Sequence, residues 1–407
     1  MKCSILSLIL LLALVFNVAG QSAQQEITDP VSISKITENI YIITVLGGPE
    51  FGQPLYSTNL VASVGPDGIL LIDAGFASTG EQVADTIKTL GNGNLKMIIN
   101  THYHADHTPG NRFFTDRAVT VAHASVLDRL NGKFFNLDGT PSPDRPNVGF
   151  YDSLSVQFNG EEIRVVHVAD CHTDGDAYVY FVGSKIVAAG DLFFADEIPY
   201  VELATHGSVS TYTAQIKRFI DEFPDDVTFV PGHGRNYAKD DLRVYYEMLT
   251  RTSNIVRQAI ADGMTLQQMI DDTILSGWSD WNGQFATNNI TAWTRTVYNE
   301  ESGWGNGKPS ICVPLTKALA DGSVEDALQC YSRLKSAEAD NYDFGEAHLN
   351  VLGYQLLMRE RVEDALKIFE LNVEAPGLPM YMTAMVKPSW PMVTPLSQLS
   401  ITRSHLN

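Results

Sequence analysis

Between residues 68 and 234 the apolar positions fall into short runs: GILLI (68–72), LKMII (95–99), EEIRVVHV (161–168), KIVAAG (185–190) and VTFV (227–230). They are rich in β-branched residues and bounded by Gly, Pro, Asp and Asn, so they read as buried strands. Each runs into a polar residue able to bind a metal or to hold a ligand in place: Asp73, His102, His172, Asp191 and His233. Asp191 is expected directly after its strand and a glycine, and His233 inside a Pro-Gly turn. The repetition predicts an α/β domain with its chemistry gathered at strand ends.

Beyond residue 237 the period changes. Residues 237–272 carry apolar side chains at three-and-four spacing, which predicts amphipathic helices. The aromatic-rich piece GWSDWNGQFATNNITAWTRTVYNEE follows, and its Trp278, Trp281 and Trp293 either rim a pocket or dock helices onto the domain. Then VEDALQCY (324–331) and VEDALKIF (362–369) align without a gap at an offset of 38, with Gly353, Ala365, Tyr354 and Phe369 at packing positions. This resembles a tetratricopeptide-type helical hairpin, although the usual period is about 34. An ordinary helical pair capping the domain is the alternative.

The densest chemistry is THYHADHTPGN at 101–111, which places His102, His104, Asp106 and His107 within six positions of a chain holding ten histidines. Imidazole and carboxylate are preferred ligands for zinc and related divalent ions. At a strand end, His102 and His104 (i, i+2) point the same way and can grip one metal. Asp106 and His107, beyond the bend, can serve a neighbour. A set of satisfied surface histidines is the bland alternative. Cys171 reads as a small buried filler beside His172. His123 and His167 read as packed, His206 as a loop residue that either faces substrate or solvent, and His348 has no ligand neighbours.

The order Asp73, HxHxDH at 102–107, His172, Asp191, His233 resembles the metallo-β-lactamase fold superfamily over roughly residues 35–240. The resemblance implies a four-layer αβ/βα sandwich followed by an α-helical C-terminal region. It implies two zinc ions, another divalent metal being acceptable to the same donors. His102, His104 and His172 would hold the first; Asp106, His107 and His233 the second; Asp191 would bridge. Asp73 would orient a ligand, and Cys171 replaces the family's usual glycine. The implied activity is hydrolysis of an activated acyl bond by a metal-bound hydroxide, with Asp106 as the catalytic residue that orients it or moves its proton. Aspartate at 191 resembles the thioesterase, lactonase and general hydrolase branches, so a lactone, thioester or ester ranks ahead of a β-lactam. A true β-lactamase and a non-catalytic metal-binding scaffold with a repeat-mediated partner are the alternatives. An iron-bearing oxidoreductase relative would need a flavin domain or a persulfide-type substrate, and no flavin motif is visible.

Composition sets the surroundings. The first twenty residues, MKCSILSLILLLALVFNVAG, read as a secretory signal peptide ending near Gly20 or Ala23, which makes the mature protein periplasmic or secreted. No later segment is long and apolar enough to span a membrane. Net charge is −20 with no basic cluster, which disfavours nucleic acid and leaves a small molecule as the expected substrate. Three cysteines follow the leader, Cys171, Cys312 and Cys330; Cys312 with Cys330 is the single pairing worth entertaining. The expected organisation is 1–23 signal, 27–240 catalytic domain, 241–315 helical extension, 316–375 helical repeats that offer a surface to a protein partner, and 376–407 an aberrant tail.

That tail, from Ala375, loses its acidic residues and helical period. Reading each codon's last base with the next codon's first two forces Val at Met380–Tyr381, Asp at Met382–Thr383, Gly at Met385–Val386, Ala at Trp390–Pro391 and Gly at Met392–Val393. The hidden frame resembles the first helix and turn of a further repeat, so a frameshift near Ala375 is expected, a divergent tail being the alternative.

Overall fold

The computed structural model describes residues 30–48, 55–133, 142–283, 285, 287–302, 308, 310–345, 348–349, 352–353, 356 and 361–373. The signal segment, Tyr354 and the tail from Ala375 lie outside the described residues.

Two sheets carry the domain. The first has seven strands in chain order: β1 (Val31–Lys35), β2 (Ile40–Gly47), β3 (Tyr56–Gly65), β4 (Gly68–Ile72), β5 (Leu95–Ile99), β6 (Val119–His123) and β7 (Val148–Phe150). It is antiparallel from β1 to β4 and parallel from β4 to β7. The second runs β12-β11-β10-β9-β8, from β8 (Ser153–Phe158), β9 (Glu161–Val168), β10 (Asp176–Phe181), β11 (Ile186–Phe194) and β12 (Thr228–His233). Its one parallel pair is β11 with β12.

Period-two alternation divides the central strands between two cores. In β4, Leu70 and Ile72 enter the layer between the sheets, with Ile99, Val121, Val165, Val179 and Val230. Ile69 and Leu71 face the opposite way, onto Val83 and Ile87 of α1 (Gly80–Thr89). Strands covered on both faces have no reason to alternate with polar residues, which is why GILLI is apolar throughout. A short helix, α2 (Ala124–Asp128), follows β6. On the far face of the second sheet, Val209, Tyr212, Ile216 and Phe219 of α3 (Val209–Glu222) pack with Leu242, Tyr245 and Leu249 of α4 (Lys239–Ala261). The result is a helix–sheet–sheet–helix sandwich followed by further helices.

Those helices are α5 (Leu266–Asp271), α6 (Ile290–Glu301), α7 (Cys312–Asp321), α8 (Val324–Ala337) and α9 (Val362–Val373). α6 docks on the sandwich: Trp293 is buried and its indole N–H donates to Thr252 Oγ1 of α4 at 2.8 Å. Trp278 and Trp281 pack on the same core, so the three tryptophans serve docking. α7, α8 and α9 share a core of their own, in which the repeated segments begin two helices, at Val324 and Val362. A Cβ on Gly353 would stand 2.2 Å from the Phe369 ring, so glycine there permits the close approach.

Three expectations are corrected. His233 closes β12, with Pro231 and Gly232 inside the strand, rather than lying in a Pro-Gly turn. Cys312 and Cys330 are both free thiols: Cys312 is buried with its Sγ on the His348 carbonyl at 2.7 Å, whereas Cys330 lies half-exposed on α8 beside Arg333. Asp191 lies within β11 rather than after it. The strand continues to Phe194 across an irregularity in its pairing with β12, around Gly190, whose φ of 52° favours a residue without Cβ.

Candidate metal centre

The centre is assembled at strand ends by one aspartate. Asp73 follows β4 in a left-handed conformation (φ 60°), which aspartate tolerates better than bulky residues. Its Oδ1 accepts the Thr101 N–H at 2.8 Å and its Oδ2 the Thr101 hydroxyl at 2.7 Å; Oδ2 also lies 2.8 Å from His107 Nδ1. The loop after β5 is thereby tied to the end of β4. It then turns on itself, with the His107 and Thr108 N–H groups donating to the His104 carbonyl. That turn sends Asp106 and His107 to one side and leaves His102 and His104 on the other.

Two groups of donors result, one of His102, His104, His172 and Asp191, the other of Asp106, His107 and His233, each with its donor atoms within 4.8 Å of one another. Asp191 stands between them. Its Oδ2 is 3.7 Å from His102 Nε2, 3.5 Å from His172 Nε2 and 3.3 Å from His233 Nε2, while Oδ1 is 3.3 Å from His107 Nε2. Gly232 leaves room for this carboxylate: a Cβ there would stand 2.1 Å from Asp191 Oδ1 and 2.9 Å from the His107 ring. Gly190 does the same for Thr101, whose Oγ1 lies 2.5 Å from the missing Cβ.

Every imidazole has its outward nitrogen engaged. His102 Nδ1 meets Thr101 Oγ1 at 3.0 Å, His107 Nδ1 meets Asp73, His172 Nδ1 meets the Tyr200 carbonyl at 2.7 Å and His233 Nδ1 meets the Ser57 carbonyl at 2.7 Å. His104 is turned the other way, with Nε2 on Glu202 Oε2 at 2.7 Å and Nδ1 facing His172 Nε2 at 3.0 Å. Outer partners of this kind set the tautomer and aim of a metal ligand. Glu202 also accepts the Tyr103 hydroxyl at 2.6 Å, and the Arg129 guanidinium lies over the Tyr103 ring at 4.9 Å. The turn carrying His172 is held by Asp176, which accepts the Thr173 N–H and hydroxyl at 2.7 and 2.5 Å.

Charge divides the two groups. Burial, and then the charge of His107, holds His102 well below the usual imidazole range. Burial and His104 bring His172 down to about 4. His107 and His233 are buried too, but neighbouring carboxylates outweigh the penalty: Asp106, Asp191 and Asp73 raise His107, and Asp191 and Asp106 raise His233 to about 10. Asp106 and Asp191 are in turn held well below the usual carboxylate range despite burial, Asp106 by His107 and His233, Asp191 by His233, His107 and His102. Burial likewise opposes ionisation of Glu202, yet His104, Tyr103 and Arg129 bring it to about 2.

These donors fit divalent cations. His102 Nε2, His107 Nε2 and Asp191 Oδ1 are buried without a hydrogen-bond partner. Buried polar atoms are rarely left so, unless an ion or water is their partner. Borderline imidazole nitrogens with carboxylate oxygens suit zinc, and the aligned outer partners match what such ligands need.

The structure brings together all seven sequence-predicted ligands, with Asp73 behind His107. Among the described residues it leaves out His123, His167, His206 and His348. His123, buried at the end of β6, stacks on His167 at 3.6 Å with the rings within 6° of parallel. His206 sits half-buried in a left-handed loop conformation, and His348 is buried 3.2 Å from Asp343. Cys171 is buried, and burial, then Asp176, pushes its thiol well up, so it stays neutral. Sequence reasoning missed Glu202, Thr101 and the Ser57 and Tyr200 carbonyls. Glu202, in YVELATHGSV, carried a faint signal as an acidic residue in an otherwise uncharged segment. The carbonyls carried none.

Residues 54–233 match the family model of the Metallo-beta-lactamase superfamily. Among curated relatives, the metallo-beta-lactamase type 2 of Elizabethkingia meningoseptica is 23% identical over 223 residues, covering 54% of this chain and 86% of that protein. The metallo-beta-lactamase type 2 of Bacteroides fragilis is 21% identical over 253 residues, covering 62% of this chain and 96% of that one. A solved metallo-beta-lactamase from Pontibacter korlensis is 19% identical, covers 54% of this chain and 99% of its own, and superposes with a TM-score of 0.45.

Proposed function

We propose that this chain, a metallo-beta-lactamase superfamily hydrolase, uses two divalent cations, zinc foremost, to cleave activated acyl bonds of small molecules. The observation carrying the proposal is the orientation of the five imidazoles. Each outward nitrogen is held by an oxygen partner, so that the inward ones converge on Asp191. His102, His104 and His172 would hold one cation, and Asp106, His107 and His233 the other, with Asp191 touching both. Cations so placed lower the pKa of water and polarise a carbonyl.

The chain's own residues do the rest. Asp106 is ionised at neutral pH and fixed by the Thr58 hydroxyl at 3.2 Å, which keeps one carboxylate oxygen ready to orient water and carry its proton towards the leaving group. His102 and His172, held neutral, keep their lone pairs for coordination. Asp73 and Glu202 fix the rings of His107 and His104 and so preserve the spacing between the two groups.

We rank a lactone, thioester or ester ahead of a β-lactam, on the family resemblance of aspartate at 191. The β-lactam reading is kept because the relatives from Elizabethkingia meningoseptica and Bacteroides fragilis are described as metallo-beta-lactamases. A non-catalytic scaffold is disfavoured by the complete donor set. Export to the periplasm or medium belongs to the same proposal, supported by the apolar leader. So does a protein partner at the helices of residues 316–375, supported by the repeated VEDAL segments.

Elemental analysis of the zinc-replete chain, beside turnover of nitrocefin, lactones, thioesters and esters, tests this reading. About two zinc ions per chain and preference for the non-lactam acyl compounds are expected. Nitrocefin as the best substrate would transfer the assignment to β-lactams. A protein that binds no cation under these conditions would overturn both.

A further inference from the structure

We propose that Phe285 forms one wall of the acyl-binding cleft and selects substrates whose acyl group carries an alkyl or aryl tail. This rests on the hydrolase reading above and names the substrate class within it. Phe285 lies beyond the family match, between the 3-10 turn Ser276–Trp281 and α6, in the segment that links α5 to the docked helix.

That segment is tied to the loop after β11 and braced by hydrogen bonds of its own. The Ile198 N–H, just past β11, donates to the Trp281 carbonyl at 2.7 Å. The Gly283 N–H donates to the Asn288 carbonyl at 2.6 Å, and the Asn288 N–H to the Phe285 carbonyl at 3.1 Å. The Asn282 side chain receives the Ile290 N–H at 2.9 Å. A Cβ on Gly283 would stand 2.1 Å from Glu197 Oε2, so glycine lets the segment close on the loop that follows the strand carrying Asp191.

Phe285 is thereby one ring away from the chemistry. Its ring lies 5.0 Å from His233 and 4.3 Å from Tyr56. His233 Nε2 is itself 3.2 Å from Asp106 Oδ2. Tyr56 and Phe194, also packed around His233, are buried, whereas Phe285 is half-buried. On the other flank the Tyr200 ring lies 6.2 Å from His104 and 5.8 Å from His172. Polar groups that fix orientation beside an apolar lining that takes up the rest of a ligand are the usual make-up of a small-molecule site. An apolar tail leaving the scissile carbonyl on the His233 side would pack on Phe285.

The test uses the zinc-loaded full chain, Phe285→Ala and Phe285→Leu, on straight-chain lactones or thioesters of four to ten carbons. Butyrate and decanoate serve as probes of binding that need no turnover. Wild type should prefer the ten-carbon substrate and bind decanoate more tightly than butyrate. Phe285→Ala should cut both preferences by about tenfold, with Phe285→Leu restoring most of them. Unchanged preferences in Phe285→Ala, or no chain-length preference in wild type, would overturn the proposal. An equal loss at all chain lengths together with lost zinc would also overturn it, since Phe285 would then merely support His233. Absence of turnover with a length-dependent affinity that Phe285→Ala removes would sink the hydrolase reading and leave the wall standing.

Discussion

The two halves of the centre are built from the same residue types yet solve opposite electrostatic problems. The half of His102, His104 and His172 is three imidazoles, of which burial keeps His102 and His172 neutral; only His104, with Glu202 behind it, is pulled towards the charged form. The half of Asp106, His107 and His233 surrounds two imidazoles with carboxylates, so protons stand where a cation would. One half is therefore organised by the geometry of its outer partners, the other by charge balance. Asp191 faces both.

The largest effect expected from breaking this asymmetry is at Asp106. Asp106→Asn keeps the shape and removes the charge beside His233 and His107, and should lower kcat by about 10²- to 10⁴-fold with little change in fold. Steady-state kinetics with circular dichroism checks it, and near wild-type turnover would remove Asp106 from the mechanism.

Asp191→Ala tests whether Asp191 couples the two halves. The first half keeps three histidines, whereas the second loses the carboxylate that faces both His107 and His233. Affinity for the second cation should fall by more than about a hundredfold, above the range for losing an outer partner. Affinity for the first should fall less, and hydrolysis should follow the second occupancy. Metal titration with activity read in parallel decides, and equal losses in both halves would show that Asp191 does not couple them.

Glu202→Gln addresses the first half alone. It weakens the hold on His104 Nε2 while keeping the side chain's shape, so affinity for the first cation should fall by about 10- to 100-fold and the second should be nearly unaffected. A larger effect on the second cation would contradict the division drawn above.

The smallest effect is a difference in pH dependence. With His233 raised to about 10 and His107 also raised, binding of the second cation must displace their protons, so its apparent affinity should rise with pH by about tenfold per unit for each proton released. The first cation, facing neutral His102 and His172, should show a shallower slope. Competition against a chelator from pH 6 to 9 measures both. The chelated protein supplies the converse. A histidine raised in the folded state stabilises it fully below its unfolded pKa of about 6.5, and this stability is lost as pH climbs through about 10. Its melting temperature should therefore decline over that window.

The candidate donors were legible because metal binding would demand few residue types at strand ends, and a chain with ten histidines betrays where they cluster. The strands were legible because both faces are covered, so apolar runs such as GILLI stand out from their flanks. Legibility failed where a role is carried by backbone or by contact across the fold. The Ser57 and Tyr200 carbonyls have no signature, since every residue owns a carbonyl. Asp191 was expected beyond its strand because a glycine normally interrupts one; here Gly190 makes an irregularity and pairing resumes. Cys312 and Cys330 belong to neighbouring helices with thiols in different surroundings, which sequence spacing does not reveal.

By itself the sequence determined the strand pattern, the helical change of period after residue 237 and which seven donor residues the fold gathers at one place, because periodicity and donor chemistry are local properties of the chain. Only the tertiary structure decided which nitrogen each imidazole presents, which half holds protons and that Phe285 returns to the centre. Those outcomes depend on partners far away in the chain, 98 residues from His104 to Glu202 and 176 from Ser57 to His233, and on the burial that makes such contacts matter.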